Sequence, residues 1–282
     1  MTSERRGILL VAAAALLWST GGIGIKLLSE PPLKIAFYRS ATAAVALFLI
    51  FRPRVWRWAA PFLVGVASYA ACLTTFVLAT KWTSAANAIF LQYSGVVWVL
   101  IASPFFLKEP FHRRDAVAVS VAFCGMLLFF VGKFESRGYA GEITALISSG
   151  FFAILVLALR RERGGGSESV VTYGNVLAAL ALLPFVYGDL AVTPRSALVL
   201  SFLGVLQIGG AYALFVAGLR HVTATEASLV GMLEPISNPI WVFLFLGERP
   251  GAFSILGGAI VLGAVAWRTL SGGAAVAEPP PD

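Results

Sequence analysis

A glutamate stands near the middle of a long apolar segment, where a carboxyl group can bind a cation or exchange a proton. Glu234 lies inside the run 223–246, where an ionised carboxylate costs about 2.5 to 3.5 kcal/mol on insertion scales. Pro235 cannot donate to the carbonyl of Gly231, and Pro239 cannot donate to that of Pro235, so backbone acceptors are freed beside the carboxyl. Either Glu234 meets a substrate ammonium or exchanges a proton at a helix break, or a protonated carboxyl closes that break.

A second set of polar groups follows helical spacing within the run 84–107. Asn87, Leu91, Ser94 and Trp98 are separated by four, three and four residues, which places them on one helical face, with Tyr93 slightly off it. An amide, a hydroxyl and an indole on one face suit a pocket. The alternative is hydrogen bonding between helices, worth on average about 0.6 kcal/mol in one well-studied membrane protein.

Aromatic and amide side chains elsewhere add to this candidate pocket. Trp18 is followed by Ser19, Thr20, Gly21 and Gly22, which would leave space beside its ring. The remaining binding candidates lie far from span ends and are Tyr69, Gln207, Tyr212 and Asn238.

Composition shows that these residues lie in a membrane protein. The 282 residues are 59% hydrophobic and 12% charged, with a mean hydropathy of +0.86, whereas a soluble domain carries roughly 25% charged residues. The net charge of +7 comes from lysines and arginines in short loops, which favours a topology signal over a nucleic-acid surface. Cys72 and Cys124 both lie in apolar segments, so no disulfide is expected.

Ten apolar runs predict an all-α integral membrane protein. Each has about 17 to 25 residues, the length of a spanning helix. We number them spans 1 to 10, at 7–28, 33–51, 59–80, 84–107, 114–132, 138–160, 169–187, 196–219, 223–246 and 252–270. The tail 271–282, rich in Ala, Gly and Pro, is predicted to be disordered and cytoplasmic.

The chain also carries an internal repeat. Glu109 and Glu248 each end an apolar run shortly before a proline, 248 − 109 = 139 residues apart, and Lys81 and Arg220 keep the same offset. We therefore expect a first five-helix repeat at 1–135 and a second at 136–270. Counting Lys and Arg gives thirteen inside and seven outside, with Arg39 within a span, if both termini are cytoplasmic. Five spans per copy would make the second copy inverted, as in many transporters.

Several charged or helix-breaking residues are expected to have structural or gating roles. Arg39 is about 9 Å from the end of its span, so snorkelling to the outer surface would explain it. Glu109 and Glu248 should pair with nearby Lys108, Arg113, Arg114 or Arg249, or with arginines in adjacent loops. Pro235 and Pro239 complete this set, whereas Glu226 should cap the start of span 9.

These motifs together resemble a known family. The residues that carry the resemblance are Leu233-Glu234-Pro235, the Leu-Gly-Glu ending at Glu248, Arg39 early in its span and the five-plus-five repeat. The chain is similar, over about 7–270, to the EamA-type ten-helix exporters of the drug/metabolite transporter superfamily. That resemblance implies export of amino acids and related metabolites, as in aromatic amino acid exporters of the YddG kind.

The sequence therefore predicts a secondary transporter of a bacterial inner membrane working by alternating access. The expected partners are a small-molecule substrate, such as an amino acid, and the lipid bilayer, with proton coupling as an option and no nucleic acid. The alternatives are a drug or nucleobase exporter and, with no motif behind it, a membrane-embedded enzyme. No cofactor or metal is expected, because His112 and His221 lack ligand-like neighbours and no phosphate-binding loop is present.

Overall fold

The computed structural model describes residues 2–53, 56–128, 139–246 and 252–271, and within them it is helical without strands. Ten helical segments follow the ten predicted spans. Their helices are Ser3–Trp18 with Gly21–Leu27, Pro32–Phe51, Ala60–Trp82, Ala85–Tyr93 with Gly95–Phe106, Arg113–Leu128, Tyr139–Arg161, Ser167–Val186, Pro194–Phe202 with Leu203–Gly210 and Ala211–Leu219, Ala224–Gly231 with Leu233–Leu246, and Ala252–Leu270.

Seven of these segments are long and apolar enough to cross a membrane by length and composition alone. Spans 5, 9 and 10 are not among these seven, and span 10 contains a shorter apolar helix, Ile255–Arg268. The predicted repeat boundary and most of the tail also lie outside the described residues. The prediction of an all-helical, multi-span fold is confirmed.

Three spans are interrupted near their middle. Span 1 breaks at Ser19 and Thr20, whose hydroxyls donate to the carbonyls of Leu16 and Leu17. Span 4 breaks at Ser94, and span 9 at Met232. Because side-chain hydroxyls compete with the helical ladder and Pro235 removes a donor from it, these sequences favour a break where they stand.

Span 8 deviates differently. Its central residues Leu203–Gly210 form a π-helical segment, a form that is rare and frequent at functional sites. Gly204 lies so close to span 2 that an added Cβ would be 2.7 Å from the carbonyl oxygen of Arg39. A larger residue would push the two spans apart, so this glycine lets span 8 approach Arg39.

Extensive helix contacts join span 3 with 6, span 1 with 8, span 2 with 7, span 4 with 6 and span 5 with 10. Small residues allow close approach, as is common in membrane helix bundles. At Gly174, for example, an added Cβ would lie 2.7 Å from the ring of Tyr69. Spans 1 to 4 and 6 to 9 thereby enclose a common interior.

Large apolar side chains cover the outside of this bundle. Leu49, Phe105 and Leu198 are each 70% exposed or more, and many other apolar residues are exposed with them. Water would penalise so much apolar surface, whereas lipid tails accept it. Polar groups accordingly lie inside the bundle, so a polar binding site must also lie in its interior.

Candidate functional site

A cavity lies between the halves of the chain. The centre of a water molecule can occupy about 30 Å³ of it. Its walls combine aromatic and apolar residues with amides and two ionisable groups of opposite type. The lining residues are Trp18, Arg39, Cys72, Leu73, Phe76, Gln92, Phe152, Gln207, Ile208, Tyr212 and Glu234.

Glu234 is held at the break in span 9. Its side chain is buried, and its Oε2 atom lies 2.8 Å from the hydroxyl of Tyr93 in span 4. The same hydroxyl lies 2.7 Å from the carbonyl oxygen of Gly231, the acceptor that Pro235 leaves free. A residue of the first half therefore closes the break in the second half.

The proton count at Tyr93 bears on the state of Glu234. A phenol carries one proton, but both neighbouring oxygens are acceptors when the carboxyl is ionised. Both contacts are satisfied at once when the carboxyl is protonated and donates to the phenol, while the phenol donates to Gly231. Ionisation would leave the two oxygens competing for one donor, so this arrangement favours the neutral acid.

Arg39 points into the interior rather than to the membrane surface. It is 2% exposed, and its Nη2 atom donates to Oε1 of Gln207 over 2.8 Å. The expectation that Arg39 snorkels outward is therefore wrong. Gln207 lies in the π-helical segment of span 8, which approaches span 2 closely enough to offer this amide inside the bundle.

Gln207 also connects Arg39 to the break in span 1. Its Nε2 atom donates to the carbonyl of Trp18 over 3.2 Å. An added Cβ on Gly21 would lie 2.6 Å from the same nitrogen, so the amide is tightly enclosed. Spans 1, 2 and 8 thus share one polar cluster, which we call the Arg39 cluster and define as Trp18, Arg39 and Gln207.

Aromatic rings form the surface around this cluster. The ring of Trp18 lies 4.9 Å from those of Tyr212 and Phe215, measured between centroids, and Tyr69 lies 4.7 Å from Tyr212. The hydroxyl of Tyr69 accepts a hydrogen bond from the amide of Asn175 over 2.8 Å. Rigid aromatic walls of this kind suit apolar or aromatic groups of a ligand.

Some sequence-predicted site residues converge and others do not. Trp18, Gln207, Tyr212 and Glu234 line the cavity, and Tyr93 and Tyr69 contact lining residues. The side chains of Asn238 and Pro239 fall outside what is described, as does Glu248.

The predicted face of span 4 does not reach the cavity. Asn87 is buried beside Thr83, to whose hydroxyl it donates, and the Ser94 hydroxyl donates to the carbonyl of Leu91. Trp98 is 56% exposed, so its placement on a pocket wall is wrong. The spacing of four, three and four assumes one continuous helix, but the break at Ser94 changes the direction of every residue after it.

Gln92 is the residue of span 4 that lines the cavity, and sequence reasoning did not select it. Its Nε2 atom donates to the Ser148 hydroxyl over 2.8 Å and contacts the Cys72 sulfur at 3.5 Å. A glutamine within an apolar span was a usable signal, because intramembrane polar groups seek partners inside the bundle. Cys72 and Phe152 gave no such signal.

The model of one protein family matches this chain twice. The EamA-like transporter family model covers residues 5–131 and again 139–270. The chain belongs to the EamA-like transporter family. It is therefore a multi-pass membrane transporter, and the sequence-based identification is confirmed.

Relatives of this EamA-like transporter extend over most of its length. An uncharacterized transporter of Archaeoglobus fulgidus is 25% identical over 91% of this chain and 95% of its own. The pseudopaline exporter CntI of Pseudomonas aeruginosa is 27% identical over 92% of this chain and 94% of its own. The uncharacterized transporter YwfM of Bacillus subtilis is 26% identical, covering 90% of each.

A solved structure supports the fold. One crystal structure superposes with a TM-score of 0.79 over 94% of this chain and 96% of that chain, at 18% identity. At that identity the likeness establishes the fold alone.

This EamA-like transporter also has an ion network at the membrane face where span 1 begins, which we call the terminal face. Glu109 binds Nε of Arg160 over 2.6 Å and accepts from the backbone N–H of Ala224 over 3.1 Å. Its partner is thus Arg160 at the end of span 6, which agrees with the expected pairing to an arginine of an adjacent loop, and not Lys108, Arg113 or Arg114. Glu109 thereby connects the end of span 4 with the ends of spans 6 and 9.

A second group of charges lies at the same face. Arg268 of span 10 pairs with Asp115 of span 5 and with Glu226 of span 9. Glu226 and Thr223 form a capping box, which confirms the expected cap. Five spans are therefore linked at the terminal face through buried charges.

Proposed function

We propose that this protein exports amino acids and related small metabolites by alternating access across a bacterial inner membrane, with both termini in the cytoplasm. The observation that carries the proposal is the cavity between the halves, where the Glu234 carboxyl can meet a substrate ammonium beside aromatic walls. A cavity with ionisable groups of opposite type and aromatic surface suits a zwitterion with an apolar side chain. A polyanion would find too few cations there.

The same proposal holds that the two halves are inverted repeats. In support, the family model matches each half separately. The breaks in spans 4 and 9 lie 232 − 94 = 138 residues apart, within one residue of the offset between Glu109 and Glu248. Helix packing agrees with this. In such a repeat span 3 corresponds to span 8 and span 6 to span 1, and spans 3 and 6 are in extensive contact, as are spans 8 and 1.

Glu109 is proposed as a gate residue on the cytoplasmic side. Its buried contact with Arg160 joins spans that must separate if the cavity is to open at the terminal face. The relative named as a pseudopaline exporter supports export of a small molecule as the direction of transport.

The test is counterflow in liposomes that contain the purified full-length protein. A panel of amino acids should exchange, with neutral and aromatic ones preferred, while a purine and a lipophilic cation should not. Movement of the purine or the cation alone would replace this proposal with a nucleobase or drug exporter. No movement of any solute would favour the enzyme alternative.

A further inference from the structure

The Arg39 cluster contains hydrogen-bond donors without partners. Nε of Arg39 and Nε1 of Trp18 are both buried and have no acceptor among the described residues. Buried N–H groups usually have partners, so two such donors within one cavity wall are unusual. Both belong to side chains that line the cavity.

The charge of Arg39 is also uncompensated at close range. Among the described residues no carboxylate oxygen lies within 4.0 Å of its guanidinium, and its one protein hydrogen bond is to the neutral amide of Gln207. A buried cation is costly unless an anion or several acceptors face it. A guanidinium is moreover a planar fork of donors that matches a carboxylate.

We infer that the Arg39 cluster binds the carboxylate of the substrate, with the guanidinium of Arg39 and the indole N–H of Trp18 as its donors. This inference rests on the proposed function and deepens it, since it assigns the substrate carboxylate a specific partner that strengthens binding. Gln207 is a positioning residue, because its amide holds Arg39 and is itself bonded to the carbonyl of Trp18.

Each ionisable group of the cavity then binds a different end of the substrate. Glu234 comes from span 9 and receives the ammonium end, and Arg39 comes from span 2 and receives the carboxylate end. No ion pair joins Arg39 to Glu234 within 4.0 Å, so Glu234 does not act as the anionic partner of Arg39. A zwitterion would give Arg39 that partner through its carboxylate, and its ammonium would face the Glu234 carboxyl.

The experiment compares phenylalanine with phenylalaninamide, which keeps the ammonium and ring but lacks the carboxylate. In liposomes, Arg39→Gln should lower phenylalanine exchange about tenfold, the effect of losing roughly 1.4 kcal/mol of binding. Exchange of the amide should stay unchanged. Arg57→Gln, at a half-exposed arginine, is the matched control and should change neither. Equal losses for both solutes, or no loss, in folded Arg39→Gln would overturn the inference.

A second variant tests the inference if Arg39→Gln does not fold. Gln207→Glu is nearly isosteric and would give Arg39 an internal carboxylate partner, which competes with the substrate. We expect a higher KM for phenylalanine and an unchanged KM for the amide. An unchanged KM for phenylalanine would overturn the inference.

A binding measurement separates this inference from the proposed function. If the wild-type protein exchanges no amino acid, the proposed function fails, and tryptophan fluorescence is titrated with phenylpropanoate, a carboxylate without an ammonium. Quenching in the wild type that disappears in Gln207→Glu would still support carboxylate binding. No quenching in the wild type would overturn it.

Discussion

The hydroxyl of Tyr93 takes the place of the backbone N–H that Pro235 lacks. It donates to the carbonyl of Gly231 over 2.7 Å, across 138 residues of sequence, and it also lies 2.8 Å from the Glu234 carboxyl. One side chain thus stabilises the break in span 9 and positions the acid beside it. Several measurable consequences arise from this and from the other contacts of the cavity.

Tyr93→Phe should destabilise the protein. The Gly231 carbonyl would lose its partner in a buried place, which costs about 1 to 3 kcal/mol. We expect a lower melting temperature in detergent. Tyr38→Phe is the control, because that hydroxyl donates to Leu190 near the surface, where water can replace it. Equal melting temperatures for the two variants would contradict the assigned contact.

Glu234→Gln should remove the pH dependence of transport. An amide cannot exchange a proton, and it cannot neutralise a substrate ammonium, so the rate should also fall. The measurement is exchange in liposomes across pH values. Glu142→Gln is the control, since that carboxyl is also buried but bonds Thr83 away from the cavity. A Glu234→Gln protein with the wild-type rate and pH profile would rule out both roles.

Trp18→Leu should impair exchange of aromatic amino acids. The indole contacts the rings of Tyr212 and Phe215, and each aromatic pair contributes about 0.5 to 1.5 kcal/mol. If the indole makes one such contact with an aromatic substrate, its loss should lower exchange by up to about tenfold. Trp98→Leu, at an exposed tryptophan, should behave as the wild type. A larger effect at Trp98 would reverse the placement of these two residues.

Gly21→Ala should reduce transport although it alters no polar group. The new methyl would lie 2.6 Å from Nε2 of Gln207 and displace the amide that holds Arg39. Gly150→Ala is matched, because no atom lies within 4 Å of its added Cβ. That substitution within a helix should be neutral or stabilise by up to about 1 kcal/mol. Similar exchange rates for the two variants would show that Gln207 tolerates the methyl.

The contact of Glu109 with Arg160 should be a strong pair. Removing one partner of a buried ion pair costs about 3 to 5 kcal/mol because it leaves a charge unpaired. Glu109→Gln and Arg160→Gln should therefore each lower the melting temperature, and the double variant should lower it by less than their sum. Additive effects would show that the two side chains are not coupled. Arg57→Gln, at a half-exposed arginine, should change the melting temperature little.

Sequence reasoning reached the ten helices and the break at Glu234 because both depend on local chemistry. Apolar run length sets a span, and Pro235 frees a carbonyl wherever the helix runs. Sequence reasoning failed at Arg39 and Trp98. The position of a residue along a helix does not say which way its side chain points around the helix axis. The π-helical segment of span 8 and the break at Ser94 set those directions, and both depend on packing against distant spans.

The proposed repeat has an unequal centre. An offset of 139 places Ala178 opposite Arg39 and Gly95 opposite Glu234, so neither ionisable group has a counterpart in the other half. Under the proposed duplication the two halves began with identical centres, and these two positions now differ between them. An amino acid bound in the proposed way, between Arg39 and Glu234, would keep the same orientation relative to the protein whichever face is open. Its enantiomer would present the side chain to a different wall, so we expect the two enantiomers of one amino acid to be exchanged at different rates.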